Sequence, residues 1–223
     1  MKYTMPNFTA FVLIILYLSI HIPTFSVNTY INHYREAGTA ELIQISEEEL
    51  IMVTLHMLDY MRGRADDLQI RATIAGQERD FFSSREIDHM VDVMVLFWIG
   101  RILRNIAIGI FALTAFFVYK KTLWDKLIKI YFFGSAGLIL SLTAFTLLIL
   151  ANFERSFIIF HEIFFFNDYW ILNPRVDLLI NLVPEVFFVN IFIRVAVIFL
   201  SVLGTLALVS GLLFFRKRLF KKG

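Results

Sequence analysis

The chain has 223 residues, 58% of them apolar and only 18% charged, with no cysteine and a formal net charge of +2. Soluble domains carry roughly 45–50% apolar and about 25% charged residues, so this composition is that of an integral membrane protein. The absent cysteines exclude disulfides, thiolate metal sites and a cysteine nucleophile, and the basic runs are too short and too close to apolar segments for a nucleic-acid interface.

The first apolar run, about 8–25, has Lys2 as the one charge on its flank and no convincing small-x-small cleavage site before Tyr30. An uncleaved helix fits this better than a removable signal peptide, and His21 reads as a polar residue at its outer end. The following sixty residues carry most of the acidic groups. Ser46-Glu47-Glu48-Glu49 has the form of a capping box, with Ser46 closing the helix start and Glu49 reaching back to it. Leu50, Val53, Met57 and Met61 then recur at helical spacing and predict one apolar face. The polar stretch 62–80 reads as a loop, and His33 and His56 as surface or packing residues. A second capping box, Ser83-Ser84-Arg85-Glu86, opens the next helix, on which Arg85, Glu86, His89 and Asp92 share a face.

The second span, about 101–119, stops at Lys120 and Lys121. At a rise of about 1.5 Å per residue, Arg101 stands about 27 Å and Arg104 about 22 Å from that end, at the opposite interface, where their charged heads reach water. A bend near Gly100 is expected, leaving the His89 segment along the outer surface. After a short basic loop the third span covers about 130–153, where Gly134-Ser135-Ala136-Gly137 is a packing seam rather than a nucleotide loop. The fourth, about 186–215, is stopped by Arg216, Lys217 and Arg218. Every lysine lies at a terminus or in the loop before the third span: Lys2, Lys120, Lys121, Lys126, Lys129, Lys217, Lys221 and Lys222. By the positive-inside rule both termini are then cytoplasmic. The expected fold is an all-α membrane protein in a single membrane domain, with four transmembrane helices and a mostly helical extracellular cap from 27–100 and 154–185.

One stretch of the cap carries most of the chemistry. His161 sits among Phe157, Phe160, Phe164, Phe165, Phe166, Tyr169 and Trp170, and Asn167, Asp168 and Arg175 follow. The residues His161-Glu162-Ile163-Phe164-Phe165 begin like a zinc-protease motif but have Phe165 where its second histidine would stand. Sharing of a metal by His89 and His161 with Asp92 or Asp168 lacks a ligand pair at helical spacing. No Gly-x-Ser-x-Gly elbow occurs. What remains is a pair of imidazoles working as general base and general acid, each beside a carboxylate, or two structural histidines at the interface. The residues alone leave these open, and a non-catalytic sensor or accessory cap competes with both. Transport is disfavoured because the span middles carry no ionisable groups.

The run from Arg85 to Val93, taken with the run from Phe160 to Trp170, resembles the bacterial lipoprotein intramolecular transacylase (Lit) family. Asn173-Pro174 and Pro184-Glu185-Val186-Phe187-Phe188 fit the same pattern, and the likeness covers essentially the whole chain. The resemblance implies that the sn-2 acyl chain of a lipoprotein's N-terminal diacylglyceryl-cysteine moves to its own α-amino group, giving the lyso-form. It implies His89 and His161 as the catalytic pair, with no cofactor, no metal and no acyl-enzyme. The partners expected are the diacylglyceryl-modified lipoprotein N-terminus and membrane lipids. Arg85, Glu86, Asp92 and Asp168 are then candidate orienting groups, Asn167 and Arg175 candidate oxyanion donors, and Phe164, Phe165, Phe166, Tyr169 and Trp170 a candidate substrate pocket. Which histidine is base and which acid stays open.

Overall fold

The structure, a computed structural model, describes residues 1–220; Lys221 and Lys222 of the terminal basic run lie outside the described residues. Four helices are long and apolar enough to cross a membrane: α1 (Thr4–Thr24) and three more described below. Between α1 and the next of these come α2 (Val27–Ala37), α3 (Thr39–Ile43), α4 (Glu47–Met61), strand β1 (Arg71–Ile74) and strand β2 (Gln77–Asp80). Helix α5 (Ser84–Lys120) and α6 (Trp124–Ala151) follow, then α7 (Phe153–Phe164), the short α8 (Leu179–Leu182) and α9 (Glu185–Phe220). Helical backbone continues without a break through Gly100, inside the 37-residue α5.

The chain divides into two units. One comprises residues Met1–His21, Arg101–Ala151 and Ile193–Gly223. Its helices bury little of themselves, and Leu140, Leu148 and Leu208 stand exposed, as expected where lipid is the solvent and no apolar core is needed to drive association. A small cluster of Ile15, Phe199 and Leu203 packs with Leu138, Ile139 and Leu142. The small-residue seam is real at Gly134, where an added Cβ would lie 2.6 Å from Phe8 Cε1, but not at Gly137, which faces open space. The polar tie is Asn7: its Nδ2 donates to Thr114 Oγ1 at 3.1 Å and to the Phe111 carbonyl at 3.2 Å, and its Oδ1 accepts from the Tyr131 hydroxyl at 2.9 Å. Such interhelical bonds are worth roughly 0.6–2 kcal/mol each in a membrane. We expect Asn7→Ala to lower stability by about 1–2 kcal/mol, read by thermal unfolding in detergent, with catalysis by the folded fraction unchanged.

The second unit comprises Ile22–Gly100 and Asn152–Phe192 and holds a true apolar core. Leu50, Val53, Met57 and Met61 are all buried on one face of α4, as their spacing predicts, against Leu68, Phe81, Phe82 and Leu182. Ser46 caps α4 by accepting the Glu49 N–H at 3.2 Å. Glu49 reaches back to Ser46 as expected, its Oε2 accepting from the Ser46 hydroxyl at 3.2 Å, while its Oε1 accepts from the Thr73 N–H of β1 at 2.9 Å. The stretch 62–80 corrects the sequence reading in part: it holds an antiparallel hairpin, with Arg71 opposite Asp80 and Ile74 opposite Gln77. Ala75 and Gly76 turn it, both at positive φ (52° and 79°), the conformation that suits a two-residue hairpin. Only Ala72 and Ile74 of this hairpin are buried, so the apolar alternation that marks a strand is too short to see.

Candidate active site

The site lies within the second unit and is built from two helices. On α7, Phe153, Phe157 and His161 recur every four residues and Phe165 follows as the C-cap, giving an inward aromatic stripe with one imidazole in it. Asn152 Oδ1 caps the helix start by accepting the Arg155 N–H at 3.1 Å. His161 Nδ1 lies 2.7 Å from the Phe157 carbonyl. A carbonyl can only accept, so Nδ1 carries the proton and the lone pair of neutral His161 is on Nε2. Trp170 covers the ring at 4.9 Å between centroids, tilted by 32°, and Phe157 approaches to 4.3 Å.

His89 comes from the first turns of α5. Its ring centroid is 5.9 Å from that of His161, with the planes 35° apart. Phe165 wedges against both, 5.1 Å from His89 and 5.4 Å from His161. The two histidines are 8% and 7% exposed, and His89 Nδ1 is buried with no hydrogen-bond partner among the described residues. Burial pushes the His89 imidazole down to about 4, the neighbouring His161 adds to this, and Asp92 partly opposes it. Burial also lowers His161, against the opposing effect of its bond to the Phe157 carbonyl. Both rings are therefore neutral at pH 7, able to accept a proton or donate an N–H but not held as cations.

The residues flanking His89 on α5 hold the loop after His161. Arg85 Nη1 donates to the carbonyls of Asp168 (3.3 Å) and Ile171 (3.1 Å). Asp92 Oδ2 accepts from Asn167 Nδ2 at 2.8 Å, and Asn167 Oδ1 accepts from the Tyr169 N–H at 3.0 Å. Asn167 thus commits one of its two amide N–H donors to Asp92. Glu86, 1% exposed, completes the second capping box by accepting the Ser83 N–H at 2.6 Å through Oε2. Its Oε1 accepts the Leu179 N–H at 2.5 Å, fastening the start of α5 to α8. Ser83 Oγ donates to Asp177, whose other oxygen accepts the Asn173 N–H at 2.7 Å.

Of the aromatic residues singled out in the sequence, Phe157, Phe160, Phe165 and Trp170 meet the histidines. Phe164 turns away to stack on Phe160 at 4.7 Å, Tyr169 is exposed, and Phe166 stands almost wholly clear of the protein. Asp168 contributes its backbone carbonyl and not its exposed carboxylate, and Arg175 sits on an exposed turn where its N–H donates to Asn173 Oδ1 at 3.0 Å. Asp177 was not singled out from the sequence: one partner, Asn173, is local, but the other, Ser83, lies 94 residues away. Among the described residues no group of three metal-ligating side chains comes together.

Comparison with known proteins decides the family. The family model of the lipoprotein intramolecular transacylase Lit matches residues 6–188. The chain belongs to this family. Its fold is also that of the membrane-integral lipoprotein intramolecular transacylase Lit from Bacillus cereus, with a TM-score of 0.82 at 22% identity over 98% of this chain and 97% of that one. Two variants of the Bacillus cereus Lit, with one histidine replaced by arginine or by alanine, match at a TM-score of 0.75 and 22% identity. Each match covers 98% of this chain, and 93% and 94% of the respective variant chains. No curated protein sequence matches. As a Lit family member with four helices fit to cross a bilayer, the chain is a multi-pass membrane protein of the transacylase class.

Proposed function

We propose that this protein moves the sn-2 acyl chain of a lipoprotein's N-terminal diacylglyceryl-cysteine to the α-amino group of the same cysteine, using His161 as base and His89 as electrophile. The observation that carries the reading is the pair itself. Two imidazoles separated by 72 positions in sequence lie 5.9 Å apart in a buried aromatic setting, and one has its tautomer set by a backbone carbonyl. A structural role leaves unexplained why His89 Nδ1 is buried without a partner; a substrate group would supply one.

The α-ammonium, with an ordinary pKa of about 7.7–8.0, first loses a proton to solvent. The neutral amine then attacks the ester carbonyl, closing an eight-membered ring through the cysteine side chain and glycerol. As the C–N bond forms, its proton passes to His161 Nε2. His89 donates an N–H to the carbonyl oxygen as charge builds there and remains neutral throughout, as a neutral imidazole does when it polarises a carbonyl. The tetrahedral species collapses with loss of the sn-2 oxygen, which takes the proton from His161. One C–N bond has replaced one C–O bond and one proton has moved from nitrogen to oxygen, so neither an acyl-enzyme nor a cofactor is required. Holding so improbable a ring in reactive geometry contributes up to roughly 7–11 kcal/mol, and the wedge of Phe165 and the cover of Trp170 suit that task. The site would face the outer leaflet, with both termini cytoplasmic.

The test is mass spectrometry of the N-terminal lipopeptide from a diacylated lipoprotein incubated in membranes carrying this protein. The expected product has unchanged total mass, one acyl chain on nitrogen and one left on glycerol; untouched diacylglyceryl-cysteine removes the assignment. Asn167→Ala, which frees Asp92 beside His89 and loosens the loop carrying Trp170, is expected to lower kcat/KM about tenfold, about 1.4 kcal/mol. Its acid limb should shift to lower pH if Asp92 turns away from His89, a change that a merely weakened fold would not produce.

A further inference from the structure

Phe166 is 97% exposed, although its neighbour Phe165 touches both histidines. It is not isolated. Ile163, at 61%, and Ile159, Phe164, Ile171 and Val176 also present large apolar side chains outward in the same stretch of chain. A protein rarely leaves so much apolar surface uncovered in water. Chain connectivity says what covers it. The membrane-crossing α6 ends at Ala151 and α7 begins at Phe153; the membrane-crossing α9 begins at Glu185. The segment between therefore starts and finishes at a membrane face. Within it α7 is two-sided, with Phe157 and His161 turned inward and Ile159 and Ile163 outward, the build of a helix lying in an interface.

We propose that the 159–176 segment, led by Phe166, dips into the acyl-chain layer of the adjoining leaflet and forms the lip over which the diacylglyceryl group slides to His161 without leaving the lipid. What slides there rests on the transacylase reading; the immersion does not. An exposed phenylalanine one residue from the wedge between the imidazoles gives the substrate's chains a continuous apolar surface from leaflet to site.

Because the chain has no cysteine, Phe166→Cys and, as a control on the polar strand β2, Arg79→Cys each give a single attachment point for a spin label. In vesicles of phosphatidylcholine and phosphatidylglycerol, power saturation should show the label at 166 open to oxygen and shielded from a water-soluble nickel chelate, with the reverse at 79. Equal nickel access at both positions overturns the proposal. So does shielding of 166 from both reagents, which would mean that a second copy of the chain covers the patch. In the lipopeptide assay Phe166→Asp should raise KM about tenfold while kcat changes less than twofold, since the reacting groups are untouched; a loss confined to kcat contradicts the entrance role. An immersed label 166 on a protein that moves no acyl chain would leave the lip standing and remove the transacylase reading.

Discussion

Replacing His161 by alanine should lower kcat by about 10²–10⁴-fold, the usual contribution of a positioned general base, and His89→Ala should cost a comparable factor by removing the donor at the developing oxyanion. The double variant should be little worse than either single one, because groups acting in one step are not additive. His161→Asn, whose amide nitrogen stands near the Nδ1 position and keeps an N–H donor for the Phe157 carbonyl, separates lost packing from lost basicity: it should restore folding and not activity. The pH profile carries the same content. With both imidazoles lowered by burial, His89 to about 4, kcat/KM should show no break at the ordinary histidine value of about 6.5. It should rise with pH toward about 8 as the substrate amine loses its proton, and the histidine limb should appear only on the acid side of 6.5. Stability follows with a definite sign. Unfolded histidine binds protons from about 6.5 downward while folded His89 does not. The folded state therefore loses on the order of 3 kcal/mol as pH falls from 6.5 toward 4. A kcat/KM break centred on 6.5 would show that at least one of the rings is not desolvated.

The largest structural effect is expected at Glu86. Its carboxylate is buried and accepts two backbone N–H groups, from Ser83 and from Leu179, so Glu86→Ala removes both bonds and leaves the Leu179 N–H buried without its partner. Hydrogen bonds to a charged group contribute about 1.5–3 kcal/mol each, and the loss should come to about 4 kcal/mol, with α8 released from the start of α5. Hydrogen exchange at the Leu179 amide should accelerate in parallel with the drop in unfolding midpoint. If Glu86→Ala proves as stable as the native chain, the buried carboxylate is not what ties these elements together.

The parts legible in sequence are those whose physics is local. Apolar runs bounded by lysines mark the four spans, and Ser83 with Glu86, three residues apart, marks the start of α5 that sets His89 in place. The stripe of Phe157 and His161 is likewise a matter of i, i+4 spacing. What sequence could not show depends on tertiary closure. Glu49 keeps its capping-box contact with Ser46 through Oε2 but also bonds, through Oε1, to Thr73 of a hairpin strand 24 residues further along the chain, and that hairpin buries too few side chains to announce itself. Arg85 was expected as an orienting group and Asn167 as an oxyanion donor; their observed partners, the carbonyls of Asp168 and Ile171 and the carboxylate of Asp92, lie across the fold where local spacing could not name them. Phe166 has the same composition signal as Phe165 and the opposite environment, because the helix ends at Phe164, with Phe165 its extended cap, and helical periodicity no longer applies.

The central claim, transfer within one substrate molecule by two imidazoles, is tested most directly by a crossover measurement on the purified protein. Two diacylated lipopeptides are mixed, one with deuterated acyl chains and one with a ¹⁵N-labelled peptide, and the products are weighed. The account predicts only products in which acyl chain and amine come from the same parent, and no acyl adduct on the protein at any time. Products of mixed label, or a covalent acyl-protein formed during turnover, would contradict it.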